Sequence, residues 1–328
     1  MKKTSLLLLL ALFVAFVSCG DDLYRYDYNR GINIIPSPEY LVVGEGSFEL
    51  DSSVRIFLSD DSLRGVSEYF LDKVKTSTGF DLQFAERLSD AQIVVECRWD
   101  SGIASQGYSL DVTPELITIT SGDLAGAFYG FSSLMQLLPS QIESPSRVSA
   151  QRWLIPSVEI KDRPLLQYRG VMIDVARHFF DKEQIKRHIE LLSLFKINRL
   201  HWHLSDNQGW RIESKAFPML TANSSSRIDE TGAEYGGFYT QEDIREVVAF
   251  ASERFVTIVP EIDIPAHSMA ACVAYPDLSC SGAVLPVRSM WGPDSIVMCP
   301  GKEYMFEFLD TLFAEMAELF PGEYYHIG

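Results

Sequence analysis

The stretch INRLHWHLSD at residues 197–206 decides the fold. It reads as a strand that carries two histidines and closes on an aspartate. His201 and His203 stand two apart, so on a strand they point to one face. Three further apolar strands flank it: YRGVMIDVA (168–176) before it, then VTIVPEIDIPAH (256–267) and EYYHIG (323–328) after it. Tyr324, Tyr325 and Ile327 suit a sheet by side-chain type. Amphipathic helices fall between the strands. Asp181 is placed to cap the first, with Gln184 as its capping-box partner, and Ile185, Ile189 and Leu192 mark its apolar face. Thr240 and Asp243 repeat the capping pattern before Ile244, Val247, Val248 and Ala251. A longer helix with Phe308, Leu309, Leu312, Phe313, Met316 and Leu319 leads to the last strand.

Strand and helix in alternation predict parallel strands joined by crossovers. Every strand brings acidic or histidine residues near its C-terminal end: Asp174; His201, His203 and Asp206; Glu261, Asp263 and His267; His326. Chemistry gathered at the C-terminal ends of many parallel strands is the habit of the TIM (β/α)8 barrel. A doubly wound sheet shares that habit but wants a Gly-rich nucleotide loop after its first strand, and none is present. The expected fold is α/β: a small N-terminal α/β domain at residues 19–160, then about four β/α units, the first half of a barrel, at 161–328. A barrel needs eight strands in about 250 residues. The expectation is therefore that the chain is an N-terminal portion.

Upstream, SLRGVSEYFLDKVKTSTG reads as a helix ended by Gly79, and DLAGAFYGFSSLMQLLP as a helix with small residues on one side, stopped by Pro139. Strand-rich stretches surround them, with no catalytic cluster. At the start, Lys2 and Lys3 precede an apolar run at residues 6–17, too short to span a bilayer, and then VSCGDD. This predicts a lipoprotein signal peptide at residues 1–18 with Cys19 as the lipidated residue. The protein is expected to be exported, at the outer membrane or cell surface and otherwise periplasmic, touching membrane through the lipid anchor only. A net charge of −17 argues against a nucleic-acid partner.

Three constellations could carry chemistry. His201 and His203 could hold a metal, but no further ligands of suitable type are obvious, and no metal or other cofactor is expected. Glu261 and Asp263 share a face with His267 just beyond; an acid beside a histidine fixes its tautomer, or forms a buried pair that shapes the loop. Spacing leaves those two readings equal. Arg169, at the start of a strand, reads by spacing as a surface or rim residue. Cys272 and Cys280 flank VAYPDLS, a loop that a disulfide could close, with connectivity left open.

Taken together, these stretches resemble glycoside hydrolase family 20, the β-N-acetylhexosaminidases. The resemblance runs from about Gly107 to the last residue through GYSLDV, GAFYGFSSLMQLLP, YRGVMIDVARHFF, KINRLHWHLSDNQGWRIE, GGFYTQEDIREVVAFA, VPEIDIPAHSMAA, CPGKEYMFEFLDTLFAEMAELFP and YYHIG. It implies an exo-glycosidase acting on glycans that end in β-linked N-acetylglucosamine or N-acetylgalactosamine. It also implies substrate-assisted retaining hydrolysis, in which the substrate's own acetamido oxygen attacks the anomeric carbon. The family's fourth strand reads His-x-Gly-Gly-Asp-Glu, so the general acid Glu and the orienting Asp are expected just after Gly328, and the chain alone is expected to be inactive. Residue by residue, the resemblance implies that Arg169 binds sugar hydroxyls. Asp206 and His267 would support the catalytic Glu, with Asp263 and His326 beside them. The alternative is a non-catalytic glycan-binding lipoprotein or a relic of such an enzyme.

Overall fold

The computed structural model describes residues 31–99, 102–229, 231–290, 292 and 295–328. The expected signal peptide and Cys19 lie outside the described residues. The chain divides into two compact units between Leu165 and Leu166.

Among the described residues, the first unit is one seven-stranded mixed sheet with two α-helices on it. Its strands are β1 (Tyr40–Leu50), β2 (Arg55–Leu58), β3 (Gln83–Phe84), β4 (Ile93–Cys97), β5 (Tyr108–Val112), β6 (Ile117–Ser121) and β7 (Trp153–Asp162). They lie in the order β1-β7-β5-β6-β4-β2-β3. Helix α1 (Arg64–Thr78) ends at Gly79, whose φ of 79° is the left-handed cap that glycine adopts without strain. Helix α2 (Leu124–Leu137) starts at Asp123, which accepts the Gly126 N–H at 2.8 Å. Its small residues let it approach the sheet. A Cβ on Gly126 would stand 2.2 Å from the Gly107 carbonyl oxygen, and one on Gly130 2.6 Å from Ile119 Cγ2. Phe70 of α1 stacks on Phe131 of α2 at 5.0 Å, closing the core over the sheet.

The second unit follows the expected alternation. Strands β8 (Gly170–Asp174), β9 (Arg199–Asp206) and β13 (Thr257–Ile262) are parallel, with β9 in the middle. Three short strands stand between β9 and β13: β10 (Gly209–Trp210), which pairs back on β9, and the hairpin β11 (Ser226–Ile228) and β12 (Glu234–Gly236). The helices are α3 (Lys182–Leu194), α4 (Met219–Ser224), α5 (Gln241–Ser252), α6 (Met269–Ala274) and α7 (Glu303–Leu319). Both predicted capping boxes form, Asp181 with Gln184 and Thr240 with Asp243. The fourth strand is present as a parallel bridge. His326 faces Glu261, with His326 N–H donating to the Pro260 carbonyl at 2.9 Å and Ile262 N–H to the His326 carbonyl at 3.1 Å.

The two faces of β9 separate core from chemistry. Trp202 and Leu204 point outward and are fully buried beneath the helices, with Trp202 against Tyr239 and Phe320. Phe308, Leu312 and Met316 of α7 fill the same layer, as their spacing predicts. His201 and His203 share the opposite face. A disulfide joins Cys280 to Cys299, while Cys272 is a buried free thiol within α6. The loop the sequence suggested closing is thus left open, because α6 turns the Cys272 side chain into the core. Among the described residues, no helix is long and apolar enough to cross a membrane.

A candidate active site at the carboxyl ends of the parallel strands

Strand register builds the site. Asp174 lies opposite His203, His203 opposite Glu261, and Glu261 opposite His326. Four strands thus contribute four ionisable residues to one transverse row. Glu261, almost fully buried, is the hub. Its Oε2 meets His201 Nε2 at 2.5 Å and His203 Nδ1 at 2.7 Å, and its Oε1 meets His326 Nδ1 at 3.2 Å. The His201 and His326 rings lie 4.3 Å apart.

Asp206 extends the row. Strict alternation would send it to the face opposite His203. The register between β9 and β13 shifts beyond Glu261, so that Ile262 faces Ser205, which leaves one extra residue on β9. Such a bulge re-aims the side chains beyond it. Asp206 Oδ2 then lies 3.1 Å from His203 Nε2, and Oδ1 lies 3.1 Å from His267 Nδ1. The Asn207 N–H donates to Oδ1 at 2.6 Å. His267 holds a φ of 49°, a left-handed conformation that few non-glycine residues adopt. Asp263 sits at the edge, its carboxylate filling the space a Cβ on Gly328 would need, only 2.0 Å away.

Burial and pairing act against each other throughout this chain of groups. Burial alone would push the His203 imidazole down. Hydrogen bonds to Asp206 and Glu261, with the Glu261 charge, outweigh it and hold His203 up to about 9. Burial would raise Glu261, but its bonds to His201 and His203 hold it well below the usual carboxylate range. Asp206 is likewise lowered: burial opposes, and His203, the Asn207 N–H, Arg177 and His267 win. Asp263 goes the other way. Burial raises it, the neighbouring charges of Asp206 and Glu261 add to that, and His267 and His203 offset only part.

Arg177 was missed by sequence reasoning. It follows β8 and spans two carboxylates, donating to Asp174 Oδ2 at 2.6 Å and pairing with Asp206 Oδ2. Its side chain keeps 30% of its surface exposed at this rim. Arg169 stands at the other end of the strand. Its guanidinium donates to the carbonyls of Lys196 and Leu166, each at 2.7 Å. Five residues separate it from Asp174, roughly 16 Å along an extended strand. The structure therefore does not bring Arg169 to the cluster, whereas Asp206, His267, Asp263 and His326 do assemble. The missed signal was position: Arg177 follows the C-terminal end of β8, and Arg169 precedes its start.

Two groups, His201–Glu261–His326 and His203–Asp206–Asp263, place potential metal-ligand atoms within 4.8 Å of one another. The 2.5 and 2.7 Å contacts at Glu261 are shorter than the roughly 3.3 Å between two ligands on one tetrahedral zinc. The 2.7 Å contact has the length of a charge-assisted hydrogen bond, and the 2.5 Å contact is shorter still.

Comparison with known proteins agrees with this architecture. Residues 166–328 match the family model "Glycosyl hydrolase family 20, catalytic domain", and residues 31–163 match "Glycosyl hydrolase family 20, domain 2". A beta-hexosaminidase of Porphyromonas gingivalis is 42% identical over 304 residues, 92% of this chain and 39% of that protein. One from Vibrio furnissii is 34% identical over 90% of this chain and 48% of that protein. The solved GH20 β-N-acetylhexosaminidase from Streptomyces coelicolor superposes with a TM-score of 0.84 at 34% identity, covering 90% of this chain and 59% of that one. The chain thus spans less than half the length of these two curated relatives. The two matched domains, in this order, and the partial parallel barrel place the chain in glycosyl hydrolase family 20.

Proposed function

We propose that this protein is a β-N-acetylhexosaminidase that removes a terminal β-linked N-acetylglucosamine or N-acetylgalactosamine from glycans. The observation that carries this reading is the row of alternating carboxylates and imidazoles that ends in Asp206, Asp263 and His326 at the carboxyl ends of the strands. Family membership and the relatives' names support it. In this reading the substrate's acetamido oxygen is the nucleophile, so the protein supplies one acid/base carboxyl and one orienting carboxylate. Both would fall beyond Gly328. The residues present support them. The Asp206–His203–Glu261 chain fixes protonation states around the acid. Arg177, not Arg169, offers guanidinium donors to sugar hydroxyls. Export as a Cys19-lipidated lipoprotein completes the proposal, and membrane fractionation with a Cys19→Ser variant tests it.

The direct test is release of p-nitrophenol from p-nitrophenyl N-acetyl-β-D-glucosaminide and its galactosaminide counterpart by the protein purified from its native source. Hydrolysis of either is expected. Asp206→Ala should cost about tenfold or more in kcat, part of the 10²–10⁴ that a well-tuned acid contributes. Hydrolysis of neither substrate would contradict the reading.

A further inference from the structure

We infer that Arg211 and Arg227 are positioning residues that set the Arg177 guanidinium for its ligand, an inference that rests on reading the rim as a sugar site. Arg211 is fully buried and has no carboxylate partner among the described residues. Burial and the Arg227 charge oppose the cation, while the Asp174 charge favours it without a direct contact, so its use asks for a reason. Its donors all end on backbone carbonyls. Nε donates to Val175 at 2.9 Å, one terminal nitrogen donates to Ala176 at 2.6 Å, and the other to Gly237 at 2.9 Å and to Ser225. Arg227 continues the pattern, donating to the Arg177 carbonyl at 2.8 Å and to that of Gln208 at 3.1 Å. Three consecutive carbonyls, Val175, Ala176 and Arg177, therefore all point at guanidinium groups.

The same turn is held from its other side. The N–H groups of Ala176 and Arg177 donate to Asp174 Oδ1 at 3.1 and 3.0 Å. With its backbone polar groups occupied, the turn is held in place, and from it the Arg177 side chain reaches Asp174 and Asp206. The two arginines also join this turn to the β9–β10 turn through Gln208, and to the ends of the β11–β12 hairpin through Ser225 and Gly237. A neutral donor would satisfy one or two of these carbonyls. The rigid five-donor fork of arginine spans several loops at once. Neighbouring residues have made room for it: a Cβ on Gly209 would lie 2.5 Å from Arg211 Cζ. Phe179 and Tyr235 lie against the two cations at 5.7 and 5.0 Å.

A double-mutant cycle on the native protein tests this, with N-acetyl-D-glucosamine as the probe in a calorimetric titration and an unfolding curve for each variant. Arg227→Met should weaken binding by about tenfold or more, the scale on which small misplacements act. Arg177→Lys should weaken it comparably, and the double variant should bind no worse than Arg177→Lys alone. Arg227→Lys, which keeps the charge without the fork and is the gentler change, should lie between wild type and Arg227→Met. A purely structural role predicts a lowered unfolding midpoint with unchanged affinity. That result, or losses that multiply in the double variant, would overturn the inference. A wild-type protein that binds no sugar would sink the sugar-site reading itself and this inference with it. Loss on Arg177→Lys with none on either Arg227 variant would sink the inference alone.

Discussion

Strand β8 has an arginine outside each of its ends, and the two do opposite work. Arg169, before the strand, turns its guanidinium onto the carbonyls of Leu166 and Lys196 and ties loop to loop. Arg177, after the strand, spans Asp174 and Asp206 and stays partly open to solvent. Residue type is the same, and the distance in sequence is eight. The difference is which end of a parallel strand each one serves. At the carboxyl ends, register and a bulge collect carboxylates and imidazoles into one buried chain. At the amino ends, the side chains hold backbone.

The largest effect expected from this contrast is at Glu261. Removing it in Glu261→Ala leaves three histidines around an empty buried position, and should cost on the order of 3–5 kcal/mol in denaturant unfolding. Arg169→Ala should cost clearly less. Equal losses would erase the distinction between the ends.

The pH dependence of stability comes next. His203 is held up to about 9 against an ordinary 6.5, so its contribution is complete below pH 6.5 and is lost as pH rises through about 9. Asp206 and Glu261 are lowered, so theirs is present above the ordinary carboxylate range and is lost as pH falls toward their folded values. Unfolding curves at pH 6 and pH 9.5 should differ by about 2–3 kcal/mol from this source. His203→Gln should flatten the alkaline limb, and an unchanged limb would remove His203 as its cause.

Sugar affinity sharpens the contrast further. Arg177→Lys should lose about tenfold, since lysine lacks the planar fork, while Arg169→Lys should bind as wild type does. The reverse pattern, in titrations with N-acetylglucosamine, would restore the sequence-based assignment. The smallest effect belongs to Gly328→Ala. Its φ of 97° and the nearness of Asp263 should cost about 1 kcal/mol of stability. A stabilised variant would show that the Asp263 carboxylate does not occupy that space.

Much of this is legible in the sequence. Local signals carried the alternation of strand and helix, the two capping boxes and the apolar faces of α3, α5 and α7. They also gave the rule that chemistry collects at the carboxyl ends, which brought Asp206, Asp263, His267 and His326 together. What stayed hidden depends on pairing between distant segments. The extra residue on β9 that returns Asp206 to His203 exists only as a register shift against β13. The partner of Cys280 is Cys299, because helix α6 buries Cys272. No local signal marks Arg211 for burial; the converging carbonyls of three loops account for it. Arg177 was readable from the carboxyl-end rule alone. The resemblance points instead to Arg169 of the same stretch, whose guanidinium lies on the Lys196 and Leu166 carbonyls.

The most direct measurement is a crystal structure of the native protein soaked with N-acetylglucosamine. The account predicts a sugar at the carboxyl ends of the parallel strands, with a hydroxyl within hydrogen-bond distance of the Arg177 guanidinium and Arg169 still on its carbonyls. A sugar bound at the amino ends, or one at the carboxyl ends that leaves Arg177 untouched, would contradict it.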